Sequence, residues 1–138
     1  MKITLTLGLD ELSLLCAKLP QEGIILLRGN LAAGKTTLVK AIADALHVKD
    51  NVSSPTFSVM NHYDERLFHY DIYQKGVEGF MQQGLFENLM HPGLHVIEWA
   101  DESFEKLLTQ MGLEYTTIII EPAGEKRHYK VHNAYTQS

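Results

Sequence analysis

Residues 24–38 read IILLRGNLAAGKTTL and contain the pattern G-x-x-x-x-G-K-[S/T]. The two glycines of the pattern, Gly29 and Gly34, let the backbone turn, so that successive N–H groups form an anion-binding nest. Lys35 can reach the β- and γ-phosphates of a nucleotide, and the Thr36 hydroxyl is a ligand for Mg²⁺. A helix starting near Gly34 directs its positive end to the same phosphates. The segment therefore predicts a nucleotide site, here named the phosphate loop and formed by Gly29, Asn30, Leu31, Ala32, Ala33, Gly34, Lys35, Thr36 and Thr37.

The sequence on either side of the phosphate loop supports this interpretation. Residues 24–27 form a short apolar run that is typical of a strand buried on both faces, and residues 35–46 repeat apolar side chains with a helical period. Strand, loop and helix in this order is the context that the motif requires. We therefore predict an α/β fold of the P-loop NTPase class, with a mixed central sheet flanked by helices.

Length and composition set broader limits. The 138 residues suit one P-loop domain over residues 1–138, and 45% hydrophobic content is ordinary for a globular protein. The chain lacks a run of eighteen apolar residues, so we predict no membrane span and a cytoplasmic protein. A net charge of −5 argues against a surface that binds nucleic acid throughout. Cys16, the single cysteine, lies among leucines and is expected to be a core residue.

The remaining chain alternates between strand and helix patterns. We predict helices at residues 11–19, capped by Asp10, and from Ser103 as the cap to residue 111, with two short helices in residues 76–90 separated by Gly84. The pattern predicts further strands at residues 2–7, 57–63, 67–72, 94–97, 115–121 and 127–131. Several of these strands are joined by tight turns, which is why we expect antiparallel pairs in the sheet.

Three polar residues lie where a nucleotide site in such a sheet needs them, at strand ends or in the connection after the loop helix. Asp71 ends an apolar strand, as a Walker-B aspartate does, and Glu98 ends the next such strand and could orient or deprotonate the attacking water. Thr56 could sense the γ-phosphate. We predict Lys35, Asp71 and Glu98 as catalytic residues and Thr36, Asp71 and Glu98 as Mg²⁺ ligands, although carboxylates at strand ends are often only solvated boundary residues.

Other candidates are more ambiguous. Trp99 offers a flat face for a nucleotide base, but core packing is the commoner fate of a lone Trp. His69 is interpreted as structural or as a neighbour of the site. The basic segment of residues 126–130 fits the exposed face of a hairpin better than an RNA contact. Arginine is scarce, with only Arg28, Arg66 and Arg127. Because arginine fingers accelerate phosphoryl transfer, we expect slow hydrolysis, or a partner that completes the site.

Four motifs in this order resemble the TsaE (YjeE) family, the small bacterial ATPases of tRNA threonylcarbamoyladenosine modification. They are G-x-x-x-A-G-K-T-T at residues 29–37, S-P-T-F at residues 54–57, H-x-D-x-Y at residues 69–73 and V-I-E-W at residues 96–99. The resemblance runs from about residue 24 to residue 99. Their combination is much more specific than the phosphate loop alone.

The resemblance implies a cytoplasmic ATPase that uses ATP/ADP and Mg²⁺ and binds the TsaB–TsaD heterodimer, with tRNA engaged indirectly through that complex. By matching position, it implies that Thr56 belongs to switch I, Asp71 to Walker B, and Glu98 with Trp99 to a switch-II-like segment. The chain departs from the family pattern at Asn30, Ala32 and Gln74, where an acid, a glycine and an arginine are usual.

Two other classes of function remain open from the sequence. A small-molecule or nucleoside kinase uses the same phosphate loop, but an arginine-rich lid is not visible in the sequence. The second open class is a regulatory subunit that binds a nucleotide without hydrolysing it. A GTPase is disfavoured, because the chain contains no N-K-x-D tetrapeptide.

Overall fold

A computed structural model describes residues 2–29, 34–48, 60–63, 66–73 and 76–134. Its strands are β1 (Lys2–Leu7), β2 (Gly23–Arg28), β3 (Met60–Tyr63), β4 (Leu67–Asp71), β5 (Leu94–Glu98), β6 (Tyr115–Ala123) and β7 (Lys126–Ala134). Its α-helices are α1 (Leu12–Cys16), α2 (Lys35–Ala45), α3 (Gly76–Gln82), α4 (Leu85–Asn88) and α5 (Glu102–Gln110). The predicted α/β class with a mixed sheet is confirmed.

The seven strands form one sheet in the order β1-β7-β6-β2-β5-β4-β3. The four central strands β6, β2, β5 and β4 run parallel, whereas β3 pairs antiparallel with β4 at one edge. At the other side β7 is antiparallel to both β6 and β1. The carboxyl ends of the parallel strands therefore meet at one edge of the sheet, where α/β proteins bind their ligands.

The central strand β2 explains how the sheet is covered on both faces. Ile25 and Leu27 pack into one core with residues of α1 and α2. Ile24 and Leu26 alternate with them and pack into a second core with residues of α3 and α5. All four side chains are buried, as the unbroken apolar run predicted. The result is a helix–sheet–helix sandwich with β2 in its middle.

Helix boundaries are where the sequence predictions fail. The first helix is shorter than residues 11–19: a 3-10 turn over Leu9–Glu11 precedes α1, and Asp10 lies inside that turn instead of capping the helix. The last helix is capped by Asp101, not Ser103, because the Asp101 side chain accepts from Phe104 N at 3.1 Å. Ser103 lies within the first turn of α5 and donates its hydroxyl to Asp101 at 2.6 Å.

The other elements lie close to their predicted positions. Two short helices are separated by Gly84, and Cys16 is partly buried against the core. Strands β6 and β7 are each longer than predicted, so the hairpin turn narrows to residues 124–125. The polar connection at residues 52–56 and the first residues of the strand predicted at 57–63 lie outside the described residues. None of the helices in the described part of the chain has the length and apolar character needed to cross a membrane.

Candidate nucleotide site

The site lies at the carboxyl edge of the parallel strands, and the sheet register aligns its residues. Glu98 on β5 is level with Leu27 on β2 and with Asp71 on β4. Neighbouring strands are separated by about 4.8 Å. The two predicted acids are therefore neighbours across the sheet, and both lie beside the point where β2 leads into the phosphate loop.

The second glycine of the motif begins the helix that follows. Gly34 is the N-cap of α2 with φ 90° and ψ 31°, a left-handed conformation that favours glycine. The first residue of α2 is Lys35, whose side chain is only 4% exposed. Its Nζ donates to the carbonyl oxygen of Gly29 at 2.9 Å, which closes the loop across its two ends. The structure thus brings Gly29, Gly34, Lys35 and Thr36 to the positive end of α2.

Trp99 packs against this lysine. Lys35 Nζ lies 3.9 Å from the centroid of the indole ring, within the range of a cation–π contact. Trp99 has φ 72°, an unusual value for a large side chain, and its N–H donates to Leu27 O at 3.1 Å. The ring also contacts the ring of Tyr73, with centroids 4.5 Å apart. The ring therefore supports the lysine, and the predicted contact with a nucleotide base stays a prediction.

The environment of Lys35 acts on its charge in two directions. Burial lowers the pKa of the Lys35 ammonium, because a buried cation loses its hydration. The nearby carboxylates of Glu98 and Asp71 raise that pKa in partial compensation. The lysine is thus a desolvated cation facing two acids, an arrangement suited to an anionic ligand carrying a divalent metal.

Glu98 is held in place from behind. His69 Nε2, on β4, donates a hydrogen bond to Glu98 Oε2, and both side chains are buried. The Nδ1 atom of His69 has no hydrogen-bond partner among the described residues. Asp71 is less enclosed, and its Oδ1 accepts from Tyr73 N at 3.0 Å. The His69–Glu98 pair fixes the orientation of the predicted water-activating carboxylate, in line with the interpretation of His69 as a neighbour of the site.

The oxygen ligands fit the predicted magnesium ion in part. Mg²⁺ prefers hydroxyl and carboxylate oxygens and keeps several waters, so Thr36 at the start of α2 and Asp71 at the end of β4 are suitable donors. Glu98 has one oxygen already engaged with His69. Its other oxygen is left for the metal ion or for the attacking water, and both predicted roles of Glu98 stay predictions. In the part of the chain that is described, no three His, Cys, Asp or Glu side chains cluster as a protein-only metal site.

On the other side of β2, the β6–β7 hairpin brings an arginine to the phosphate loop. A Cβ atom built on Gly34 would lie 2.3 Å from Nη1 of Arg127, so the guanidinium lies directly against the start of α2. The sequence interpretation missed this contact by treating residues 126–130 as an exposed face. Lys126 and Lys130 are indeed exposed and form ion pairs with Glu11 and Glu121. Arg127, by contrast, is half-buried.

Several predicted site residues lie outside the described part of the chain. They are Asn30, Leu31, Ala32 and Ala33 within the phosphate loop and Thr56 in the predicted switch segment. Gln74, where the family usually has an arginine, is likewise outside it. Thr37 is described and is exposed on the first turn of α2.

The fold and the site define a P-loop NTPase. A search of solved structures found YdiB of Bacillus subtilis with a TM-score of 0.69, covering 99% of this chain and 87% of that one at 24% sequence identity. At this identity the likeness concerns the fold.

The chain belongs to the TsaE family. The family model "Threonylcarbamoyl adenosine biosynthesis protein TsaE" matches residues 9–129. Among curated proteins named tRNA threonylcarbamoyladenosine biosynthesis protein TsaE, that of Treponema pallidum is 37% identical, covering 74% of this chain and 75% of its own. That of Rickettsia prowazekii is 32% identical, covering 86% and 83%. The match to the Bacillus subtilis relative, at 35% identity, covers 74% of this chain and 63% of that protein, which is less than two thirds.

Proposed function

We propose that this protein binds and hydrolyses ATP in support of the TsaB–TsaD complex during threonylcarbamoyladenosine modification of tRNA. One observation carries the enzymatic half of the proposal. The buried ammonium of Lys35, at the start of α2, faces two neighbouring carboxylates at the ends of β4 and β5. Membership of the TsaE family supports the tRNA-modification half. Such a role fits a cytoplasmic location.

In this proposal each group at the site has a distinct task. The loop N–H groups cradle the α- and β-phosphates, Lys35 binds the β- and γ-phosphates, and the positive end of α2 stabilises their charge. Thr36 and Asp71 hold Mg²⁺, which when bound neutralises the charge that develops between the β- and γ-phosphates. Glu98 orients the attacking water and accepts its proton. Because His69 occupies one oxygen of Glu98, the other oxygen is the one directed to water.

The test is phosphate release from Mg-ATP, measured with and without purified TsaB–TsaD. We expect slow release that increases when the heterodimer is added. Lys35→Ala should abolish tight Mg-ATP binding. Glu98→Gln should preserve binding and lower turnover at least about a hundredfold, the usual contribution of a general base. Glu102→Gln, an exposed acid on the neighbouring helix, is the matched control and should behave as the parent.

Three outcomes would contradict the proposal. Glu98→Gln turning over at the parent rate would remove the assigned role of that carboxylate. Fast phosphate release that does not change when the heterodimer is added would favour a small-molecule or nucleoside kinase. Added acceptor molecules should then become phosphorylated. Tight nucleotide binding without release under any condition would favour a scaffold that uses ATP only as a ligand.

A further inference from the structure

Arg127 contacts the phosphate loop from the side opposite the two acids. A Cβ atom built on Gly34 would overlap Nη1 of Arg127 and would lie 2.8 Å from its Cζ. With a larger residue at position 34, the guanidinium would have to move from where it lies. The contact joins the last hairpin of the chain to the helix that the nucleotide motif begins.

One donor nitrogen of the Arg127 guanidinium has no hydrogen-bond acceptor among the described residues. Arg127 Nη1 is buried and has no hydrogen-bond partner among the described residues. The other two arginines are occupied: Arg28 forms an ion pair with Glu105 at 2.9 Å, and Arg66 donates to Leu46 O at 2.9 Å. A buried charged donor without an acceptor is costly, so such a group calls for a partner such as a bound anion or a water molecule. An anionic acceptor at this place would remove the cost.

The sheet register shows where that acceptor must lie. Strand β6 pairs with β2 as far as Arg28, opposite Ile119, and then continues without β2 beside it. Arg127 pairs with Pro122, three residues further along β6. At ~3.3 Å per residue this places Arg127 about 10 Å beyond the last paired residue of β2, level with the phosphate loop. Glu98 and Asp71 stand on the opposite side, since β5 and β4 follow β2 in the other direction.

We propose that Arg127 is a nucleotide-binding residue that donates Nη1 to phosphate oxygens which ATP and ADP share. The inference rests on the proposed function and adds a residue to its site. Loop N–H groups of this motif cradle the α- and β-phosphates, and Gly34, which Arg127 covers, belongs to that loop. The acids that serve the γ-phosphate and the attacking water lie across the loop. The planar fork of arginine suits phosphate oxygens better than lysine does.

The experiment measures, by isothermal titration calorimetry, the affinity of the wild-type protein and its variants for Mg-ADP and Mg-ATP. Arg127→Met should lower the affinity for both nucleotides by a similar factor, about tenfold to a hundredfold, as expected for a hydrogen bond to a charged group. The rate of phosphate release at saturating ATP should fall by a smaller factor than the affinity, because the contact is made in both the ground and the transition state. Arg127→Lys should show an intermediate loss of affinity.

Lys126→Met is the matched control. It removes one positive charge from the adjacent residue, whose ammonium is exposed and paired with Glu11 at 3.5 Å, and should leave both affinities unchanged. Should Arg127→Met fail to fold, as judged by circular dichroism, Arg127→Lys carries the comparison. Unchanged ADP affinity in the Arg127 variants would overturn the inference, as would a loss confined to turnover at saturating ATP. If the wild-type protein binds neither nucleotide, both the proposed function and this inference are wrong.

Discussion

At the scale of single residues, the site depends on backbone conformations that most side chains avoid. Trp99 is held with φ 72° by the hydrogen bond from its N–H to Leu27 and by ring contacts with Lys35 and Tyr73. Strain of this kind persists only where the surrounding structure enforces it, and it concentrates at functional sites. Gly34 solves the same problem without strain, because it has no Cβ. The two residues flank the lysine that the motif requires.

A pair of glycine substitutions separates backbone strain from the contact with Arg127. Gly34 and Gly84 both cap helices in the left-handed conformation, but a Cβ on Gly84 would meet nothing within 4 Å. Gly84→Ala should therefore lower the free energy of unfolding by about 1–2 kcal/mol, the cost of the left-handed conformation alone. Gly34→Ala should lower it further, since its methyl group collides with Arg127. Urea unfolding of both variants measures the difference.

The double variant Gly34→Ala with Arg127→Ala provides the control for that comparison. Removing the guanidinium should abolish the excess loss and leave a cost similar to that of Gly84→Ala. Equal losses in the two single variants would show that placing the guanidinium against Gly34 contributes no measurable stability.

The sequence could have indicated Arg127, but only through strand alternation. Tyr129 and Val131 on β7 are buried in the same core as α2, and a period of two places Arg127 on their face of the sheet. Counting the basic segment as one charged patch hid that alternation. Lys35, by contrast, follows from the phosphate-loop pattern, and Asp71 and Glu98 follow from strand ends; the structure brings all three together. Their chemical roles remain predictions.

At the scale of elements, helix starts were hard to predict because several residues compete for each cap. Asp101 and Ser103 are both good capping residues. Asp101 is the N-cap because its backbone is extended, with φ −106° and ψ −171°, and its side chain accepts a hydrogen bond from Phe104 N. In the first helix Glu11 Oε1 accepts from Gly8 N at 2.9 Å, which satisfies a donor there and favours the 3-10 turn. Such choices depend on a few hydrogen bonds that periodicity does not encode.

A buried hydrogen-bond chain connects α4 to the two strands that carry the acids. Asn88 on α4 donates to the Tyr70 hydroxyl at 2.8 Å, and that hydroxyl bonds His95 Nδ1 on β5 at 2.7 Å. His95 Nε2 donates to His91 O at 2.8 Å. Since the carbonyl can only accept, the neutral ring carries its proton on Nε2 and accepts from Tyr70 through Nδ1. The chain of bonds therefore requires no charge on His95.

These hydrogen bonds of His95 predict how the stability of the protein depends on pH. Burial lowers the pKa of His95, helped by the charges of His91 and His62 and opposed by the hydrogen bond to His91 O. The unfolded chain then binds a proton before the folded one does as the pH falls through the ordinary value near 6.5. The free energy of unfolding should thus decrease from pH 7.5 to pH 5.5, with a slope from this group of at most about 1.4 kcal/mol per pH unit.

The comparison with His95→Gln isolates that contribution from the other histidines. We expect urea unfolding to show a smaller loss of stability between the two pH values in the variant than in the wild type. The same slope in both proteins would mean that folding does not shift the pKa of His95, and a steeper slope in the variant would mean that folding raises this pKa.

At the scale of the whole molecule, strand order was beyond the reach of the sequence. The order of strands and helices along the chain predicted a mixed sheet, and each hairpin was visible as a turn between two strand patterns. Nothing local, however, specifies that β1 pairs with β7 instead of β2, or that β6 lies on the opposite side of β2 from β5. Those choices place Arg127 and the acids on two sides of the phosphate loop.

The same topology predicts where a bound nucleotide should stabilise the protein. Ligand at a hundred times its dissociation constant adds about 2.7 kcal/mol to the free energy of unfolding when it binds only the folded state. With Mg-ADP, amide hydrogen exchange should slow most at the carboxyl edge, in the first turn of α2, the end of β5 and the tip of the β6–β7 hairpin. Slowing at the hairpin tip is specific to a nucleotide that Arg127 contacts.

The opposite edge of the sheet supplies the internal reference. A cleft there is lined by residues that precede the strands or end α2, among them Leu46, Arg66 and Gly93. Because it lies at the amino ends of β2, β4 and β5, exchange around it should change little beyond the global increase in stability. Protection concentrated around that cleft would move the nucleotide away from the phosphate loop. Protection at β5 without the hairpin would keep the site but remove Arg127 from it.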